Sequence, residues 1–261
     1  MQKYWKGHVR RPDKDHLIQL SNQAHGAFLR NLQVVPPPPR WDSRELGFVG
    51  PVKNQSECGS CWDFSGTGVI EIAYNKAGIG GGANAFVLSE EYSLSCYHSG
   101  RCGGDDNTRV LEWAQAHGLP LASDYGPYTA APGTCSYNPT MALYKIDGWG
   151  FADSNGRYGV TPIADIKAAI MHYGAVGCAV VAGPDGSAFE AYSGGVFADS
   201  GLRAIDHDVI LVGWDDATGS WILRNSWGPD WGEGGYMRIA YGANLVGTES
   251  VWAAKHTTGV S

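Results

Sequence analysis

The apolar residues change their period near residue 145, and no other feature limits the fold as strongly. Before that point they recur at helical spacing. A helix is expected from near Cys61 through Val69, Ile70, Ile72 and Ala73 to the glycine cluster Gly78 to Gly82. A second begins at Ser89, whose hydroxyl can cap the amides of Glu91 or Tyr92, and a third covers Thr108 to His117 before Gly118-Leu119-Pro120. Beyond residue 145 one helix remains, expected to be capped by Thr161, with Pro162 in its first turn, Ile163, Ile166 and Ile170 on one face, and an end at Gly174. Around it, β-branched and aromatic runs predict strands at Ala175 to Val181, Val209 to Trp214, Trp221 to Arg224 and Tyr236 to Ala240. A helical half followed by a β half is an α+β chain of two lobes, 41–145 and 146–261, and a cleft between lobes is a preferred place for a ligand.

Residues 1–40 read differently. Leu17, Leu20, Ala24, Phe28 and Leu32 recur at helical spacing around Gly26, and Pro36 to Pro39 then ends any helix as a stiff extended connector. A short amphipathic helix and an unfolded tail both fit, because isolated helices of this length are marginal in water. The densest basic run, Lys6 to Lys14, also lies here. Among 261 residues there are 19 basic and 26 acidic ones, a net charge of −7, so the basic stripe that a nucleic-acid partner requires is missing. No window approaches the roughly 18 apolar residues of a membrane span. The first residues lack the apolar core of a secretory signal, which leaves a cytosolic chain or one whose signal has been removed.

The cysteines bear on that choice. They stand at 58, 61, 96, 102, 135 and 178. Cys58 and Cys61 form a C-x-x-C pair, which suits a redox site or half a zinc site, but no second C-x-x-C follows and no histidine pair has ligand spacing. No metal and no cofactor is expected. Structural disulfides plus free thiols remain, which places the folded chain in an oxidising compartment, secreted, periplasmic or lysosome-like.

The strongest local signal is Gln55-Ser56-Glu57-Cys58-Gly59-Ser60-Cys61-Trp62, running straight into a helix. A thiol is a nucleophile only as thiolate, and the free amides and dipole of a helix N-terminus stabilise that anion. The plain alternative is a disulfide-bonded or inert Cys61. A thiolate mechanism also needs an imidazole and a third group to orient it. His207 enters the apolar run Val209 to Trp214, so a strand would hold it rigidly. His8, His16, His25, His172 and His256 read as solvated. Asn225, in Arg224-Asn225-Ser226-Trp227-Gly228, follows a strand and precedes an indole that could shield a hydrogen bond; taken alone it is a turn asparagine.

These residues resemble the papain and cathepsin family of cysteine peptidases, whose Cys-Gly-Ser-Cys-Trp signature is followed far downstream by His and Asn. The resemblance runs from about residue 41 to 255. It includes Pro51-Val52-Lys53-Asn54-Gln55, Leu88-Ser89-Glu90-Glu91, Cys102-Gly103-Gly104, Tyr192-Ser193-Gly194-Gly195-Val196-Phe197, Asp206-His207 and Trp231-Gly232-Glu233-Gly234-Gly235-Tyr236. It implies a papain-like fold with a helical lobe, a β-barrel-like lobe and the site between them. Cys61 would be the nucleophile of an endopeptidase acting through a thioester, His207 its acid and base, and Asn225 the residue that orients the ring. Gln55 and the Cys61 amide would hold the oxyanion, and Trp227 would cover the His207–Asn225 bond. Gly103 and Gly104 would pair with an extended peptide or protein substrate. Cys58 would pair with Cys102 and Cys96 with Cys135, leaving Cys178 a buried thiol.

The same resemblance implies that residues 1–40 are a shortened pro-segment able to inhibit its own monomeric chain. Specificity would lie in the pocket for the second residue before the scissile bond, with Val180 on its wall, Asp208 beside it and Asp105 nearby. The floor is Glu249 in one register and Val251 in the other; Glu249 is favoured, and would select Arg or Lys. Three departures stand out: Asp63 two places after the nucleophile, Asp208 after the histidine, and one residue fewer in Cys102-Gly103-Gly104. A silent peptide-binding relative and an acyl-transferring ligase are the competing readings.

Overall fold

The second half of the chain forms a sheet with strand order β2-β8-β3-β5-β6-β7-β4. Its strands are β2 (Gly148–Phe151), β3 (Val176–Val180), β4 (Val196–Phe197), β5 (His207–Asp215), β6 (Ser220–Arg224), β7 (Tyr236–Ala240) and β8 (Thr248–Ala254), and β1 (Arg40–Asp42) pairs on β5. The computed structural model describes residues 4–13, 16–17, 19, 21, 35–97, 99–153, 159–199 and 204–256.

Alternation within β5 explains the two lobes. Val209 and Leu211 point into a cluster with Cys178, Val180, Trp221, Leu223 and Met237, whereas Ile210 and Val212 join Ile222 and Val251 in a second cluster on the other face. A sheet covered on both faces reads as a continuous apolar run, which is what Val209 to Trp214 presents. The second cluster is closed by α1 (Cys61–Lys76), α2 (Glu90–Cys96) and α3 (Thr108–Ala116). α1 lies against β5, with Gly68 facing the Ile210 side chain: a Cβ there would stand 2.5 Å from Ile210 Cδ1. The helix N-terminus and the first residue of β5 thereby meet at one end of the lobe interface.

The expected elements are found with three differences. α5 (Ile163–Tyr173), which follows the single turn α4 (Ala122–Tyr125), has Pro162 rather than Thr161 at its cap, and Ile163 is exposed while Ile166 and Ile170 are buried. β5 starts two residues early and takes in His207 and Asp208. The short strands β1, β2 and β8 carry little local signal, since half of β2 is glycine and β8 mixes Thr, Glu and Ser with its apolar residues. Ser89 accepts the Tyr92 amide at 3.1 Å as the cap of α2. Leu17 is helical and buried in the second cluster, and Ser21 Oγ accepts the Phe151 amide at 2.9 Å; the rest of the helix expected across Leu20 to Leu32 lies outside the described residues. Disulfides join Cys58 to Cys102 and Cys96 to Cys135, and Cys61 and Cys178 are free and buried. No helix among the described residues is long and apolar enough to cross a membrane.

Candidate active site

Cys61 is the first residue of α1 and His207 the first of β5. The thiol lies within reach of the backbone amides of Trp62, of Asp208, the residue after His207, and of Gly7. His207 Nε2 lies 2.8 Å from Asn225 Oδ1, and the same Oδ1 accepts the Ser226 amide at 2.8 Å. An oxygen already accepting one N–H fixes the asparagine amide, so Nε2 carries the proton and donates, and Nδ1 keeps a lone pair. Nδ1 has no hydrogen-bond partner among the described residues. The Trp227 indole stacks on the imidazole with centroids 4.7 Å apart, and Phe189 and Trp231 pack edge-on against that indole.

Gln55 is held just as firmly. Its Oε1 accepts from Ser226 Oγ at 2.6 Å, which turns Nε2 outward to donate to Cys58 O at 2.8 Å and Trp5 O at 2.9 Å. A side chain fixed this way presents an N–H to an anion without reorganisation. Ser226 is therefore the residue that sets both amides, and nothing in its local sequence singles it out. Asp63 is buried in α1 and accepts from Thr67 Oγ1 at 3.0 Å; burial, with Glu90 nearby, pushes its carboxyl well above the usual range. That shift disfavours the ionised carboxyl and so weakens its competition with a thiolate for the helix dipole.

Residues 4–13 run through the cleft. Tyr4 stacks on Trp227 at 4.6 Å, and Trp5 O also accepts from Trp227 Nε1 at 3.2 Å. Lys6 pairs with Glu190 at 2.5 Å. Gly7 donates its amide to Cys61 Sγ at 3.1 Å. No other residue fits at that point, because a Cβ on Gly7 would fall 1.8 Å from Gly59 O. The backbone then pairs with residue 105: the Asp105 amide donates to Gly7 O at 2.8 Å, and the Val9 amide to Asp105 O at 2.9 Å. His8 also donates its amide to Asp206 O at 3.1 Å. Arg11 ends the run on Asp13, Thr108 and Glu112 and holds Asp13 down at about 2.

The His8 side chain fills an acidic pocket. Its Nδ1 is 3.0 Å from Asp208 Oδ2, its Nε2 is 3.8 Å from Glu249 Oε2, and Arg10 Nε donates to Glu249 Oε1 at 2.5 Å. Burial lowers the His8 pKa, but the charges of Asp208, Asp106 and Glu249 outweigh it and raise the ring to about 9. At the sulfur the balance is opposite. Burial, with the Asp208 carboxylate, drives the Cys61 thiol up despite the amides that favour thiolate, and burial takes His207 down to about 3. Under the segment the pair is a neutral thiol and a neutral imidazole.

Several sequence expectations shift. Val180 pairs with His207 and sits in the barrel core, and Ala179 is the residue opposite Asp208. Gly103 and Gly104 do not supply the pairing; Asp105 does, and Gly104 only leaves room for Gly7 O, 2.5 Å from where its Cβ would lie. Glu249 lies beside His8 and Arg10, while Val246 and Val251 are buried core residues. His8, read as solvated, has a side chain only 3% exposed. Lys6, His8 and Arg10 carry a signal as a basic run, but their acidic partners are spread from residue 190 to 249.

A family model described as papain family cysteine protease matches residues 37–256. The chain is 34% identical over 231 residues to oryzain beta chain of Oryza sativa, covering 86% of this chain and 47% of that protein. It is 34% identical over 223 residues to a cathepsin L-like proteinase of Fasciola hepatica, covering 82% and 64%. Among solved structures it superposes on a Carica candamarcensis cysteine protease in complex with E-64 with a TM-score of 0.69, at 33% identity over 84% of this chain and 99% of that one. Digestive procathepsin L2 from Tenebrio molitor gives 0.72 at 29% identity, covering 85% and 70%. The chain spans about half to two thirds of the length of the first curated relatives it matches, 47% and 65%.

Proposed function

Since the chain belongs to the papain family of cysteine proteases, we propose that it hydrolyses peptide bonds at Cys61 and that residues 4–13 hold it inactive until they leave the cleft. The observation that carries the reading is the His207 Nε2–Asn225 Oδ1 contact at 2.8 Å: with Oδ1 already accepting the Ser226 amide, Nε2–H is the donor and Nδ1 is the ring atom that can take a proton. Once water reaches the pair, Nδ1 takes the Cys61 proton and the thiolate attacks the scissile carbonyl carbon. The carbonyl electrons move to oxygen, which accepts from Gln55 Nε2 and the Cys61 amide. The imidazolium protonates the leaving amine, which departs as the thioester forms. Water then attacks the thioester, giving one proton to Nδ1, and the acid product and the thiol are released.

The seated segment is spared by its own geometry. The thiol meets an N–H of Gly7, while the carbonyl at Gln55 belongs to Trp5, two residues earlier. Specificity follows from the pocket: Glu249 and Asp208, both buried, hold His8 and Arg10 now and would hold Arg or Lys of a substrate afterwards. Two disulfides suit an oxidising compartment, outside the cytosol. The test is titration with an epoxide inhibitor before and after cleavage near Arg40, followed by a peptide-library digest. One label per chain on Cys61, faster after cleavage, supports the reading; no labelling in either form leaves a silent peptide-binding protein.

A further inference from the structure

Where the segment meets the pocket, two buried atoms face each other without a bond. His8 Nε2 and Glu249 Oε2 lack hydrogen-bond partners among the described residues, though their side chains are only 3% and 4% exposed. At 3.8 Å they form an ion pair but no hydrogen bond, so the hydrogen-bonding capacity of each buried atom is unused. A carboxylate oxygen of Asp106 completes the group, the three donor atoms all lying within 4.8 Å of one another. Nitrogen and carboxylate donors about 2.0–2.2 Å from a tetrahedral ion stand roughly 3.4 Å apart, so small side-chain rotations suffice.

We propose that His8 Nε2, Asp106 and Glu249 Oε2 bind a divalent cation of the zinc class, which ties the N-terminal segment to the pocket. The imidazole suits zinc rather than calcium or magnesium, which take oxygen ligands. His8 is already turned to receive it, because its Nδ1 is hydrogen-bonded to Asp208 at 3.0 Å, the carboxylate support that metal-binding histidines commonly have, and Nε2 is left toward the ion. Asp105, Asp106, Asp208 and Glu249 surround the position against the cations Arg10 and Arg109, and the His8 ring gives up its proton on binding, so a doubly charged ion takes the place of a singly charged imidazolium. A cavity of about 390 Å³ borders His8 and Arg10. Because one ligand comes from the segment and two from the enzyme, binding stabilises the closed form by mass action.

The full chain carrying Cys61→Ser, which removes the thiol as a rival ligand, is titrated with cobalt(II) and then zinc. One equivalent of cobalt should bind with visible d–d absorption and no sulfur charge-transfer band, and zinc should displace it. His8→Ala and Glu249→Gln should each weaken binding about 10- to 100-fold, and zinc should slow tryptic cleavage after Lys6 and Arg10 in the Cys61→Ser chain but not in its His8→Ala derivative. Glu249→Gln also removes the Arg10–Glu249 ion pair, so Arg10→Gln, which breaks that pair and leaves all three donors in place, is the control and should bind cobalt as its parent does; loss of binding in Arg10→Gln as well would overturn the proposal. No stoichiometric binding, or binding indifferent to both substitutions, overturns the proposal. It rests on the seating of residues 4–13 rather than on turnover: a chain that binds cobalt yet never accepts an epoxide would sink the peptidase reading alone.

Discussion

The two ends of the covered cleft are closed by different physics. At Cys61 the fit is one of shape: Gly7 has no side chain, so its amide reaches the sulfur and the backbone passes Gly59 and Gly104. One residue further on the fit is one of charge, with His8 and Arg10 on Asp208 and Glu249. The first leaves a neutral thiol and imidazole without water; the second gathers charges that compensate one another. A shape fit fails abruptly when one methyl is added, whereas a charge fit spread over several contacts weakens by degrees.

The largest effect is expected at the shape-limited end. After cleavage near Arg40, Cys61→Ala or His207→Ala should reduce peptide turnover by on the order of 10⁴-fold or more, since the pair acts as a unit. Wild-type turnover by either variant would remove the assignment. Gln55→Ala should lower kcat about a hundredfold; Ser226→Ala should give a smaller loss, because the donor survives and only its orientation is freed. At the charged end, Glu249→Gln should cut the preference for Arg over Phe at the second residue before the scissile bond about tenfold, and added salt should erode it in the parent. A strong Phe preference untouched by that change would empty the acidic pocket of its role.

The smallest effect separates the two ends by a group that belongs to neither. Asp63 is raised well above its usual value, so the folded chain keeps a proton that the unfolded chain releases above about pH 4. Its contribution to stability is present below that pH and is lost as pH rises. Asp63→Asn should raise Tm more at pH 7 than at pH 4, by about 2–4 °C per kcal/mol. Destabilisation at pH 7 would mean an ionised, paired Asp63.

The same contrast decides what could be read in the sequence. The Cys61 end sits in two short motifs, because the rigid start of a helix and the rigid end of a strand each need local residues: the run to Cys61-Trp62, and Asn225-Ser226-Trp227. Helical and strand periods placed α1, α3, β3, β6 and β7 to within a residue or two. The pocket is built by long-range pairing, in which a single residue decides which side chain faces inward. That is why Ala179 rather than Val180 stands opposite Asp208, and why Asp105 takes the place of two glycines. Residues 4–13 have no regular repeat; their position depends on partners that folding brings from residues 55 to 249.

Gly7 is what closes the sulfur, and the rate at which iodoacetamide alkylates Cys61 measures that closure directly. It is compared in the full chain and in its Gly7→Val variant, read by mass spectrometry with buried Cys178 as an internal control. The wild-type chain should react slowly, and Gly7→Val at least about tenfold faster at Cys61, because a side chain cannot share the space of Gly59 O, while Cys178 stays unreactive in both. Equal Cys61 rates in the two chains would contradict it.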